Sequence, residues 1–168
     1  MRGLAQPVVA AVEGACVGAG LGLALCADIR VAAAGARFAT AFTGIGLAAD
    51  TGLSASLAEA VGPSRAAGLF LLGDRFGSEE ARDWGLAHRV VPDGAAADEG
   101  LAPARRLAQG PALAYAEVKR LLRGALGAAP EDVLEREAAA QTALGASHGH
   151  RSAVRSFLDR DRPVFEGH

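Results

Sequence analysis

Gly14, Gly18, Gly20 and Gly22 fall together in the stretch GACVGAGLG. With no Cβ in the way, the backbone N–H groups of such a turn can approach a ligand closely. If a helix begins there, those amides also meet the positive end of its dipole. The chemistry that suits this arrangement is an anion: a phosphate, or the oxygen of a carbonyl becoming an enolate. Two familiar phosphate loops do not fit. The dinucleotide pattern G-x-G-x-x-G has Leu23 where its third glycine belongs, and no strand ends in an acidic residue where the ribose partner should be. The Walker loop needs Gly-Lys-Ser/Thr, and the chain's single lysine is Lys119. The same glycines would also let a buried helix pack closely, and on the glycines alone both readings stand.

The turn needs elements to hold it. PVVAAVE (Pro7 to Glu13) is apolar and β-branched, bounded by Pro and Gly, and predicts a buried strand. Residues 14–20 predict a glycine-rich turn, LGLALCA (21–27) a buried helix, and DIRVAA (28–33) a second strand, which together form a βαβ-like unit. Phe38 to Leu47 is irregular. A helix is expected from Asp50 or Thr51 to Val61, stopped by Gly62-Pro63, with others near 64–72 and 78–84. His88 to Val91 is a short strand, and helices near 98–109, 112–126, 131–146 and 150–160 complete the chain. The front half is α/β and the back half helical. No repeat or linker divides them, so residues 1–95 and 96–168 are expected to form parts of one domain.

Composition excludes several classes. With 51% hydrophobic residues and a net charge of −2 in 168 residues, the chain is not of a disordered type. It has no basic run and few aromatics, so no nucleic-acid partner is expected. Cys16 and Cys26 lack metal-ligand or C-x-x-C spacing and predict reduced thiols in a cytoplasmic protein. The apolar run from Val8 to Ala27 resembles a membrane or signal segment. Glu13 interrupts it, the glycines dilute it, and Leu25 is too large to precede a lipoprotein cleavage, so no membrane partner is expected. No His, Cys or acidic spacing supports a metal site. Arg120, Arg123 and Lys119 predict a solvated basic helix face, Asp28 a cap or pair at a strand start, and His88 a structural role.

Read as a whole, PVVAAVEGACVGAGLGLALCADIRVAAAGARF resembles the enoyl-CoA hydratase/isomerase (crotonase) superfamily. The match continues through Phe38, Ala41-Phe42, Gly44-Ile45-Gly46-Leu47 and Asp50, then Val61-Gly62, Leu72-Gly73, Gly85-Leu86 and Val90-Val91-Pro92. It ends on His150-Arg151, Phe157, Arg160, Pro163 and Phe165. The resemblance implies a crotonase-like spiral ββα fold of the α/β class, with a C-terminal helical trimerisation region. Family chains carry about another third before the point matched by Met1, so the chain is expected to lack the first strands and the first of two oxyanion donors. A truncated, non-catalytic binding or assembly protein is therefore one alternative reading.

The family acts on coenzyme A thioesters, whose oxygen two backbone N–H groups hold while an enolate forms. The resemblance places the Ala19 N–H as the donor in this turn, with Gly18 and Gly20 beside it. Hydratases of the family use two glutamates; their positions here are Gly22 and Phe42, and neither side chain can exchange a proton. AFTGIGLAADTGLS resembles instead the subgroup with an aspartate at this place, which includes 1,2-epoxyphenylacetyl-CoA isomerases and Δ3,Δ2-enoyl-CoA isomerases. That implies Asp50 as the acid/base of an acyl-CoA isomerase, with Phe42, Leu47 and Leu53 as an apolar wall that raises its pKa. Asp50 is also in place to be a helix N-cap. Enoyl-CoA hydratase and aryl-CoA dehalogenase are the alternative reactions. By resemblance, Phe42 and Leu47 line the substrate site and Phe157 and Arg160 contact the coenzyme. No cofactor is expected beyond the coenzyme A of the substrate, and the expected assembly is a homotrimer or a dimer of trimers.

Overall fold

A computed structural model describes residues 1–165, which form two units. The first comprises residues 1–2 and 8–104. Here the run after Pro7 forms β1 (Val9–Val12), followed by β2 (Ala15–Val17), α1 (Ala19–Leu25) and β3 (Ile29–Ala33). β1 and β3 pair in parallel, Val9 opposite Ile29, as the βαβ-like reading requires. β4 (Arg37–Ala39) pairs in parallel with β2, placing Phe38 opposite Cys16. After a single 3₁₀ turn at Thr43–Ile45 come α2 (Leu53–Val61) and α3 (Pro63–Leu72). The last elements that begin in this unit are β5 (Phe76–Gly77), α4 (Ser78–Asp83), β6 (Arg89–Val91) and α5 (Ala96–Ala108), within which the unit boundary falls. Two sheets result, ordered β1-β3-β6, wholly parallel, and β2-β4-β5, with β4 and β5 antiparallel.

The core of this unit lies between the helices and the β2-β4-β5 sheet. Leu21 and Leu25 of α1, Leu53 and Leu57 of α2, Leu69 of α3, and Phe38 and Phe76 of the sheet are all buried together. Phe38 and Phe76 stack with centroids 5.4 Å apart, and Trp84 tilts onto Phe76 at 5.0 Å. The outer face of Trp84 carries the Arg65 guanidinium at 4.9 Å. Single polar side chains tie the loops down. The Glu13 carboxylate accepts from Gly94 N and Ala96 N at the start of α5, and Asp28 accepts from Val8 N at 2.7 Å, the strand-start pairing expected of it. His88 just precedes β6; its Nδ1 accepts the Arg30 N–H, a structural role.

The second unit, residues 3–7 and the described residues from 105 on, holds the end of α5 with α6 (Ala112–Ala125), α7 (Pro130–Gly145) and α8 (His148–Leu158). Among its described residues only Lys119 and Ala140 are buried. Lys119 is thus not on the solvated face expected of it. Its aliphatic stem is covered and its Nζ donates to the Gln6 carbonyl at 2.7 Å.

Three local expectations are corrected. The glycine-rich turn contains β2, because Ala15–Val17 finds a partner in β4. α1 begins at Ala19 rather than Leu21, and α2 at Leu53 rather than at Asp50 or Thr51. Among the described residues, no helix is long and apolar enough to cross a membrane.

Candidate active site

Gly18 N donates to Ala39 O at 2.9 Å, fastening the glycine turn to the end of β4. Gly18 then adopts φ 56°, ψ −120°, a conformation open only to glycine, and swings the chain into α1. A Cβ on Gly18 would already stand 3.5 Å from both the Phe42 ring and Thr40 O. Bonding within α1 starts with Gly22 N to Gly18 O, at 3.1 Å. The amides of Ala19 and Gly20, earlier in the first turn, are therefore left over by the helix, at exposed residues. An anionic oxygen placed there would meet N–H donors at the positive end of the helix.

The second component is the loop between β4 and α2. Its first residues are pinned to α3. Thr40, fully buried, donates its hydroxyl to Leu69 O at 2.9 Å, and Thr43 donates to Phe70 O at 2.8 Å. Phe42 is buried against the glycine turn, and its carbonyl accepts from Ile45 N and Leu47 N. The loop closes on Asp50, Thr51 and Gly52. Thr51 has φ 52°, a left-handed conformation rare for a β-branched residue, and Gly52 follows at φ 73° as the N-cap of α2.

These angles remove Asp50 from the helix. Its backbone carbonyl accepts from Leu53 N at 2.9 Å and from the Thr51 hydroxyl at 2.8 Å, but its carboxylate caps nothing. The helix-cap reading of Asp50 is therefore wrong: two left-handed residues intervene before the first helical one. The carboxylate is exposed. The apolar wall is incomplete in this chain. Phe42 and Leu53 are buried, yet Leu47 is 58% exposed, so these residues do not enclose Asp50.

Thr51 joins the two components. Gly22 has no side chain, and a Cβ built there would run into Thr51 Oγ1 and stand 3.0 Å from Thr51 Cβ. The space at Gly22 is thus occupied by Thr51. Asp50 is held one residue from this contact, and Ala19 precedes Gly22 by about one helical turn, roughly 5 Å along the axis. Sequence reasoning missed Thr51. Its only signal is the Thr-Gly pair before an apolar helix, which reads as an ordinary helix start.

Of the predicted residues, the fold brings Ala19, Gly18, Gly20, Phe42 and Asp50 into one neighbourhood. Leu47 sits on the same loop. Phe157, 81% exposed on α8, and Arg160, in the turn after it, belong to the other unit. Among the described residues, no cluster of His, Cys, Asp or Glu could hold a metal. Burial pushes the Cys16 thiol up to about 11, so at neutral pH it stays protonated and is no nucleophile.

The pattern defined for enoyl-CoA hydratase/isomerase matches residues 1–168, the whole chain. This chain belongs to the enoyl-CoA hydratase/isomerase family. A 1,2-epoxyphenylacetyl-CoA isomerase of Escherichia coli K12 is 37% identical over 164 residues, covering 98% of this chain and 63% of its own length. A Rhodobacter capsulatus protein named a probable enoyl-CoA hydratase is 42% identical, covering 96% of this chain and 63% of its own length. A solved Mycobacterium abscessus structure, whose assignment goes no further than the family, superposes with a TM-score of 0.97 at 57% identity. It covers 99% of this chain, and 64% of that protein is covered in return. The fold is therefore the crotonase-like α/β fold. This enoyl-CoA hydratase/isomerase family member spans about 63% of the length of these relatives, as the resemblance predicted. Relatives carry both hydratase and isomerase names.

Proposed function

We propose that this protein is an acyl-CoA isomerase, with Asp50 as the acid/base and the Ala19 N–H as an oxyanion donor. The observation that carries this reading is the exchange of roles between Gly22 and Asp50. At the position that holds a carboxylate in hydratases there is no side chain, and Thr51 occupies the space. At Phe42, the second such position, a ring is buried against the glycine turn. The loop instead presents one carboxylate, Asp50, with no role in capping α2.

The chemistry follows from one carboxylate and one oxyanion donor. Asp50 takes a proton from the carbon α to the thioester carbonyl, which also flanks the double bond. The electron pair left behind moves into the C=O, and the enolate oxygen accepts the Ala19 N–H. The exposed Asp50 carboxyl, which can trade that proton with solvent, then delivers a proton to the far carbon of the dienolate, the enolate electrons re-form the C=O, and the double bond has moved. Water is neither added nor lost, so one carboxylate suffices where hydration uses two. The substrate is an acyl-CoA, its coenzyme is part of the substrate, and the proposed assembly is a homotrimer or dimer of trimers.

The test is acyl-CoA turnover by this chain with and without Asp50→Asn. The expected result is loss of isomerisation with acyl-CoA binding retained. Unchanged turnover in Asp50→Asn would remove Asp50 from the mechanism, and a product containing added water would favour the hydratase reading.

A further inference from the structure

The backbone of the Asp50 loop is held in an unfavourable conformation at both ends. Apart from Arg160, the only non-glycine residues with positive φ among the described ones are Ala41 and Thr51, which bracket this loop. Such conformations persist where the surroundings over-determine them, and they concentrate at functional sites. At Thr51 the surroundings are identifiable. The side chain fits the space that Gly22 leaves open on α1, and its hydroxyl donates to Asp50 O. A free loop would relieve the strain by rotating Thr51 out of the left-handed region, and Asp50 would turn with it.

Building on the acid/base reading of Asp50, we propose that Thr51 is a positioning residue: keyed into Gly22, it holds the Asp50 carboxylate beside the oxyanion end of α1. Gly22 is then the keyhole rather than a lost hydratase position. Thr51 touches no reacting atom. It fixes the distance between the proton carrier, on the loop, and the enolate donor, one turn before Gly22.

The experiment compares wild type, Gly22→Ala, Thr51→Gly and the double variant. It follows deuterium entering an acyl-CoA from D2O, with kcat and KM separated, and melting midpoints verify that each protein is folded. Glycine at position 51 accepts the left-handed conformation but removes the key. A Cβ at position 22 blocks the keyhole. Gly22→Ala is expected to lower kcat about ten- to hundredfold, as misplacement by an ångström does, with KM within about twofold. Thr51→Gly is expected to lower kcat by a smaller factor. In the Thr51→Gly background, Gly22→Ala is expected to cost nothing further, because the new Cβ then meets only Leu53 Cβ, at 3.6 Å, an ordinary contact.

An active wild type in which Gly22→Ala costs as much in the Thr51→Gly background as it does with Thr51 present overturns the proposal and leaves the acid/base reading standing. A wild type that exchanges no proton overturns that reading and this proposal with it. If Gly22→Ala fails to fold, Thr51→Gly and Thr51→Ser decide. Serine, which keeps the hydroxyl, is expected to retain most of kcat, and unchanged kcat in Thr51→Gly overturns the proposal.

Discussion

The two units solve the burial problem differently. The first encloses Leu21, Leu53 and Leu57 almost completely and stacks Phe38 on Phe76. The helical unit buries only Lys119 and Ala140 among its described residues, while Leu122 on α6, Leu134 on α7 and Phe157 on α8 are each at least 65% exposed. α6 and α8 are amphipathic, but their apolar side chains are largely uncovered in the single chain. The difference teaches where rigidity resides. The glycine turn and the Asp50 loop are built on the unit with its own core, which can hold Thr51 at positive φ.

Leu57→Ala should cost about 2–5 kcal/mol, because a fully buried leucine leaves a cavity. Urea unfolding measures it, and a cost near zero would deny that this core carries the fold. Gly18→Ala should cost about 1–3 kcal/mol, since alanine must adopt a φ of 56° with ψ of −120°. Acid should act next. Desolvation of the ring, and then the Arg30 charge, hold the His88 pKa below its usual 6.5, and protonation would end its acceptance of the Arg30 N–H. The unfolded chain therefore binds that proton more readily. The contribution is fully present above about pH 6.5 and is lost as the pH falls through and below it. His88→Gln should flatten the loss of stability over that interval. Leu122→Ala, in the helical unit, should change the stability of the single chain by no more than about 0.5 kcal/mol. A cost like that of Leu57→Ala would mean that this surface is buried in solution.

Much of this was legible in the sequence. β1, β3 and α1 carry apolar runs bounded by Pro and Gly, and the long helices carry clear breaks at Gly110-Pro111 and Pro130. β2 was not legible, because a three-residue strand between glycines exists only through its pairing with β4. The burial of Lys119 was hidden for a related reason: its charge reads as solvated, and only the fold supplies the Gln6 carbonyl. At the site, Asp50 and Ala19 were readable by resemblance. What was not readable is the backbone at Thr51. A threonine at the head of an apolar run ordinarily caps a helix. Here the contact with Gly22 favours a left-handed turn that delays α2 and frees the aspartate.

Asp50 is proposed to move the proton of a bound thioester. The most direct measurement is deuterium incorporation from D2O into an acyl-CoA, followed by mass spectrometry, for wild type and Asp50→Asn. Asparagine nearly preserves the shape of aspartate and removes only the base. Exchange by wild type, and its loss in Asp50→Asn by a factor of about 10²–10⁴ with acyl-CoA binding retained, is the predicted result. Equal exchange by the two proteins would contradict it.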